Sequence, residues 1–152
     1  MSTSPVPFAT RTFVDTSGFY ALADRSDRHH LAARSALSRR AGSEWITTDH
    51  VVVETWLLVR ARLGYSPALR FWDDLAAGLA TVAGVSSADL VQARAIAAAW
   101  RDQEFSFVDC TSFAFLERLG LSHALAFDTH FRIYRWGAGR RRKLQLLGEL
   151  PR

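Results

Sequence analysis

A chain of 152 residues with 49% hydrophobic and 22% charged residues has the length and composition of one globular unit, which excludes a disordered or fibrous class. One cysteine, Cys110, excludes a disulfide framework or a thiolate zinc cluster built within the chain. The formal charge of +4 and pI near 10.0 come almost wholly from arginine, since Lys143 is the single lysine; this suits phosphate contact but equally fits an arginine-rich proteome.

The chain reads as a single domain, 1–152, with a frayed, Pro-containing start over 1–10 and a core over about 12–147. MSTSPVPFATRTF holds no apolar stretch of signal-peptide length, and no window approaches the roughly 20 apolar residues that span a bilayer. A cytoplasmic protein without membrane contact is expected.

RTFVDTS predicts a strand ending at Asp15, after which Ser17 opens a helix through GFYALAD. Asp27 to Ala41 predicts an amphipathic helix that Gly42 closes, and EWITT a second strand. Thr48 and Asp49 are both acceptable caps for the helix HVVVETWLLVRARLG, which runs to Gly64. SPALRFWDDLAAGLA is a further helix with Pro67 in its first turn, and ATVAGVS a short strand. Ser87 to Trp100 is helical, with Asp89 in its first turn. FSFVDCTSFAFLERLG predicts a helix opened by Asp109 and ended at Gly120. HALAFD is apolar enough for a buried strand; THF and WGAGRRRK follow, and KLQLL is the last strand. Strands alternating with helices define an α/β class with a parallel sheet covered on both faces.

Four acids each follow an apolar run directly: Asp15 after TFV, Glu54 after VVV, Asp109 after SFV and Asp128 after LAF. Burying an ionised carboxylate costs several kcal/mol unless a partner compensates, so each placement is informative. Plainer roles exist for each: a helix cap for Asp15 and Asp109, and a salt bridge to Arg60, Arg62 or a remote arginine for Glu54. Taken together these roles suffice less well. Right-handed βαβ connections carry several of these positions to one edge of the sheet, where like charges repel and a hard divalent cation such as Mg²⁺ or Mn²⁺ relieves them. An acidic metal pocket in a basic chain suits phosphodiester hydrolysis, with Thr16, Ser17, Thr111 and Ser112 near enough in sequence to orient water or carboxylates.

VDTSGFYAL, VVVETWLL, FSFVDCTSFAFLERLG and ALAFDTHF, in this order, resemble the PIN-domain ribonucleases and above all the VapC toxins of toxin–antitoxin systems. The resemblance runs from Thr12 to about Leu147. It implies a PIN-domain-like three-layer sandwich, a Mg²⁺-dependent endoribonuclease (Mn²⁺ being the alternative ion) and a cognate VapB-type antitoxin that occludes the acidic site. A homodimer and a toxin–antitoxin hetero-oligomer are also implied, with DNA engaged only through the antitoxin. Asp15, Glu54, Asp109 and Asp128 match the four family acids. Asp15 and Asp109 would be principal metal ligands, Glu54 and Asp128 further or water-mediated ones, and Ser17, Thr111 and Ser112 would assist. The chain departs from some members by carrying Thr129 and His130 where a second acid follows the fourth; His130 reads as a packing or substrate-side residue. FSFVDCTSF and the arginine-rich end are similar to toxins that cleave structured rRNA or tRNA. A catalytically inactive RNA- or antitoxin-binding module and a DNA nuclease of the same chemistry remain the alternative readings.

No Gly-rich phosphate loop, G-x-S-x-G or H-E-x-x-H occurs. His29 and His30 read as a solvated helix start, and Cys110 as a small buried residue. Arg140, Arg141, Arg142 and Lys143 are candidates for the RNA backbone, and Trp45, Trp72, Trp100 or Trp136 for base stacking, although tryptophans are mostly core. Phe8, Phe13, Phe19 and Tyr20, or the apolar helices after Glu54 and Ser66, are candidates for a dimer face.

Overall fold

Residues 11–148 are described by the computed structural model, so the expectations for 1–10 and Phe8 lie outside it. Among these residues, strands β1 (Thr12–Val14), β2 (Trp45–Thr48), β3 (Thr81–Ala83), β4 (His123–Leu125) and β5 (Gln145–Leu147) form an all-parallel sheet in the order β3-β2-β1-β4-β5. Phe13 faces Ile46 of β2 on one side and Ala124 of β4 on the other. Every residue of β1 and β2 is buried, as central strands covered on both faces must be, whereas Thr81 and Val82 of edge strand β3 are exposed.

Helices α1 (Thr16–Ala23), α2 (His30–Arg39), α3 (Asp49–Leu63), α4 (Tyr65–Ala76), α5 (Ser87–Ala99), α6 (Phe107–Leu119) and α7 (Thr129–Ile133) flank the sheet in the expected α/β sandwich. The α6 residues from Asp109 through Leu116 are all buried, which explains why its sequence lacks a polar face. Its aromatics build the core: Phe115 meets Phe13 at 6.0 Å, and Phe113 stacks on Tyr134 at 4.1 Å. None of the described helices is long and apolar enough to cross a membrane.

The strand order reverses at β1. The chain steps outward from β1 to β2 and β3, then returns to the other side of β1 with β4 and β5. A crevice opens at the carboxyl ends of the strands at such a reversal, between β1 and β4 here.

Several boundaries differ from those predicted. α2 starts at His30 rather than Asp27, because the Asp27 carboxylate accepts the His29 N–H at 2.8 Å and holds the preceding residues in a turn. His30 is not solvated: it is buried, with Nδ1 2.7 Å from the Ala21 carbonyl oxygen. α4 ends at Ala76, before Gly78 adopts a φ of 98°. The short α7, over residues assigned no element from sequence, is opened by the Asp128 side chain. Phe13, Phe19 and Tyr20 are core residues and present no dimer face, and Trp45 is buried.

Candidate metal centre

Asp15 leaves β1 at the reversal and caps α1, as its sequence context suggests. Its Oδ2 accepts the Ser17 backbone N–H at 3.2 Å and the Ser17 hydroxyl at 2.8 Å. The same hydroxyl oxygen accepts the Phe127 N–H at 2.9 Å, tying the end of β1 to the segment that carries Asp128. Asp15 is 3% exposed. Burial above all, with the neighbouring Asp109 charge adding to it and the Ser17 donors opposing, pushes its carboxyl up to about 7.

Asp109 is not the cap of α6, as predicted, but its third residue. Ser106 is the cap: its hydroxyl oxygen accepts the Asp109 N–H at 3.0 Å, and Asp109 Oδ2 accepts the Ser106 N–H at 3.0 Å. Oδ2 also lies 2.7 Å from His130 Nδ1. Burial raises the Asp109 carboxyl, and the nearby Asp128 charge contributes, against the hydrogen bonds from Ser106 and His130. Asp128 caps α7, its Oδ1 accepting the His130 N–H at 2.9 Å.

Glu54, on α3, is half-buried. Burial raises its carboxyl, and the charges of Asp109 and Asp128 raise it further. Thr16 lies close enough to favour the charged form, although its hydroxyl completes no hydrogen bond in the fold. Neither Arg60 nor Arg62 is seen paired with Glu54 among the described residues: they lie over the rings of Tyr65 and Tyr20. The Asp109 charge therefore acts on Asp15 and Glu54, and the Asp128 charge on Glu54 and Asp109.

One atom each of Asp109, Asp128 and His130 lie within 4.8 Å of one another, so a metal-sized group forms among them. Asp15 stands outside that tightest set, although the Asp109 charge is one of the causes that raise its carboxyl. Thr16 Oγ1 and Ser112 Oγ are buried without a hydrogen-bond partner, whereas Thr111 donates to the Val108 carbonyl oxygen at 3.0 Å within its own helix. Buried hard oxygens with raised carboxyl pKa values and orphaned hydroxyls fit a hard divalent cation.

Asp89 provides the contrast. It is 1% exposed and occupies the same helix position in α5, boxed with Ser86, yet Arg118 of α6 grips both its oxygens at 2.7 and 3.0 Å. Burial opposes its charge, but these hydrogen bonds hold its carboxyl below the usual range. Among the described residues, no arginine contributes to the environment of Asp15 or Asp109 in this way. Asp89 is a structural ion pair.

Sequence reasoning missed Ser106 and the inclusion of His130 in the acidic cluster. The spacing Ser-x-x-Asp, at Ser106–Asp109 and again at Ser86–Asp89, is the legible capping-box signal for the first. Nothing local signals the second, since His130 meets Asp109 from 21 residues away.

Of the basic run, Arg140 is engaged with the fold: its guanidinium lies 4.1 Å from the centre of the Trp100 ring. Arg141, Arg142 and Lys143 are exposed. Trp100 and Trp136 are partly buried, and Trp72 is 59% exposed on α4.

The doubly wound parallel sheet with its acids at the β1/β4 reversal has a known counterpart. The PIN domain model matches residues 12–137, and the chain belongs to the PIN-domain family. It is 35% identical over 127 residues to the 23S rRNA-specific endonuclease VapC20 of Mycobacterium tuberculosis, covering 78% of this chain and 90% of that one. It is 28% identical over 129 residues to the Ribonuclease VapC26 of the same organism, covering 84% and 95%. The crystal structure of M. tuberculosis VapC20, described as a sarcin-ricin loop cleaving toxin, superposes with a TM-score of 0.71 at 32% identity, covering 77% of this chain and 89% of that chain. These relatives make the chain a nuclease, in the hydrolase class, of the VapC type.

Proposed function

We propose that the chain is a Mg²⁺-dependent endoribonuclease, the toxin of a VapBC-type toxin–antitoxin pair, that cleaves RNA at its four-carboxylate site. The observation that carries this reading is that the carboxyls of Asp15, Glu54 and Asp109 are all raised by burial and by neighbouring acid charges, with no arginine among the causes, whereas Asp89, as buried as Asp15 and Asp109, has Arg118 on both its oxygens. Asp15 and Asp109 would hold the ion, with Asp128 and Glu54 completing the pocket directly or through water. Bound there, Mg²⁺ or Mn²⁺ would supply an activated water and neutralise charge at the scissile phosphate. Ser17 locks one oxygen of Asp15, and the buried hydroxyls of Thr16 and Ser112, which complete no hydrogen bond, would orient water. Arg141, Arg142 and Lys143 would hold the RNA backbone. The relative VapC20 is a 23S rRNA-specific endonuclease, which makes structured rRNA the first substrate to offer.

The apolar residues exposed on α3 and α4, Val53, Leu57, Tyr65, Leu69 and Trp72, are the surface for a homodimer in this reading. A VapB-type antitoxin would cover the acidic site, and action in the cytoplasm follows from that partnership.

The test compares wild type with Asp109→Asn on total RNA and on DNA of matching sequence, in Mg²⁺ and in EDTA. Cleavage of RNA by wild type in Mg²⁺ alone is expected. Identical RNA profiles in all conditions, from folded protein, overturn the proposal; cleavage of DNA in preference to RNA reassigns the substrate.

A further inference from the structure

Resting on that reading of the site, we infer that His130 is a positioning residue which locks one oxygen of Asp109 and thereby sets how the acidic centre presents itself to a divalent cation. Its backbone N–H is held by Asp128 Oδ1 at 2.9 Å while its Nδ1 reaches Asp109 Oδ2 at 2.7 Å, so one residue joins acids carried by α7 and α6. Phe105 meets the imidazole edge-on at 5.1 Å and fixes the plane of the ring. With Asp109 ionised, Nδ1 carries the hydrogen and donates.

Asp109 Oδ2 then has two donors, His130 Nδ1 and the Ser106 N–H, which leaves Oδ1 as the oxygen available to an ion. Asp15 is treated alike: Ser17 engages its Oδ2 with both backbone and side chain. Each acid therefore offers one oxygen from a fixed plane, the presentation that a small octahedral cation such as Mg²⁺ demands. A direct nitrogen ligand is a different matter. At 2.7 Å the Nδ1 and Oδ2 atoms are in hydrogen-bond contact, and an imidazole suits softer ions than Mg²⁺.

Three variants of the full chain separate this role from packing. His130→Phe keeps a ring beside Phe105 but removes the donor; His130→Asn returns an N–H close to the Nδ1 position; Asp109→Asn is the site control. Mn²⁺ binding is read by calorimetry and by electron paramagnetic resonance, alongside circular dichroism and melting in EDTA. Removing an outer partner of a ligand costs about 10- to 100-fold in metal affinity, so His130→Phe should weaken Mn²⁺ binding about tenfold or more. His130→Asn should recover most of that loss. His130→Phe binding Mn²⁺ as tightly as wild type, no recovery by a folded His130→Asn, or a directly coordinated nitrogen in the wild-type spectrum each overturns the inference. Absence of Mn²⁺ binding by wild type itself overturns the metal-site reading beneath it as well, and so is distinguishable from these.

Discussion

At the residue scale, the buried Asp15 sets a pH dependence that can be signed in advance. The Asp15 carboxyl titrates near 7 in the folded chain against 3.8 for the ordinary side chain, so between these values the folded state holds more protons than the unfolded one. Stability of the metal-free protein therefore falls as pH rises from about 4 to about 7, and Asp15 adds no further slope above that. A cation that binds the ionised site reverses the trend, giving a stabilisation that grows with pH up to about 7. Melting curves at successive pH values in EDTA and in Mg²⁺ check both slopes, and Asp15→Asn should flatten them. Arg118→Ala should behave oppositely. Breaking a buried ion pair costs about 3–5 kcal/mol, and Arg118 is partly exposed, so a loss of about 2 kcal/mol in a denaturant titration is expected. Mn²⁺ affinity should not move, because Asp89 is outside the metal cluster.

At the element scale, the start of α1 is seated directly on β4. A Cβ placed on Gly18 would lie 2.4 Å from the Leu125 carbonyl oxygen, and the Asp15 N–H donates to that same oxygen at 3.1 Å. Gly18→Ala must push α1 away from the strand, since the opposing atom is backbone. Overpacking of this kind costs about 1–3 kcal/mol. Because Ser17 links Asp15 to Phe127, the same shift should weaken Mn²⁺ binding, which calorimetry on the folded variant would read. An unchanged affinity would show that the α1–β4 seam does not position the site. The N-termini of α1, α6 and α7 contribute in a second way: Asp15 and Asp128 are the N-caps of α1 and α7 and Asp109 lies in the first turn of α6, positions where the helix dipole favours a negative charge.

At the scale of the whole molecule, acidic and basic features occupy different parts of the chain. Asp15 and Asp128 follow β1 and β4, and Glu54 and Asp109 lie on α3 and α6, while Arg141, Arg142 and Lys143 are exposed on the segment leading into β5. Each phosphate neutralised by such a cation adds about 0.7 to the slope of log affinity against log salt for a single strand. Replacing these three residues by alanine should therefore lower the slope for RNA by about two, with Mn²⁺ binding intact; a slope equal to wild type would remove the segment from the interface. Leu57→Glu, on the exposed apolar face of α3, should shift sedimentation toward the monomer if that face joins two copies.

The sequence by itself determined the α/β class and singled out four acids by their apolar surroundings. Both are written in local pattern: apolar runs that alternate with helical stretches, and single carboxylates such as Asp15 and Asp128 that interrupt those runs. It also carried the capping box at Ser106, although reading Asp109 as the cap itself misplaced the start of α6. Only the tertiary structure separated Asp89 from Asp109, two buried acids with the same Ser-x-x-Asp spacing at the third position of a helix. One meets Arg118 from 29 residues away and the other His130 from 21, and a chain's local pattern does not say which distant side chain will face a buried charge. That pairing is decided when the helices pack on the sheet, because the cost of an uncompensated carboxylate depends on its surroundings in three dimensions and not on its neighbours in sequence.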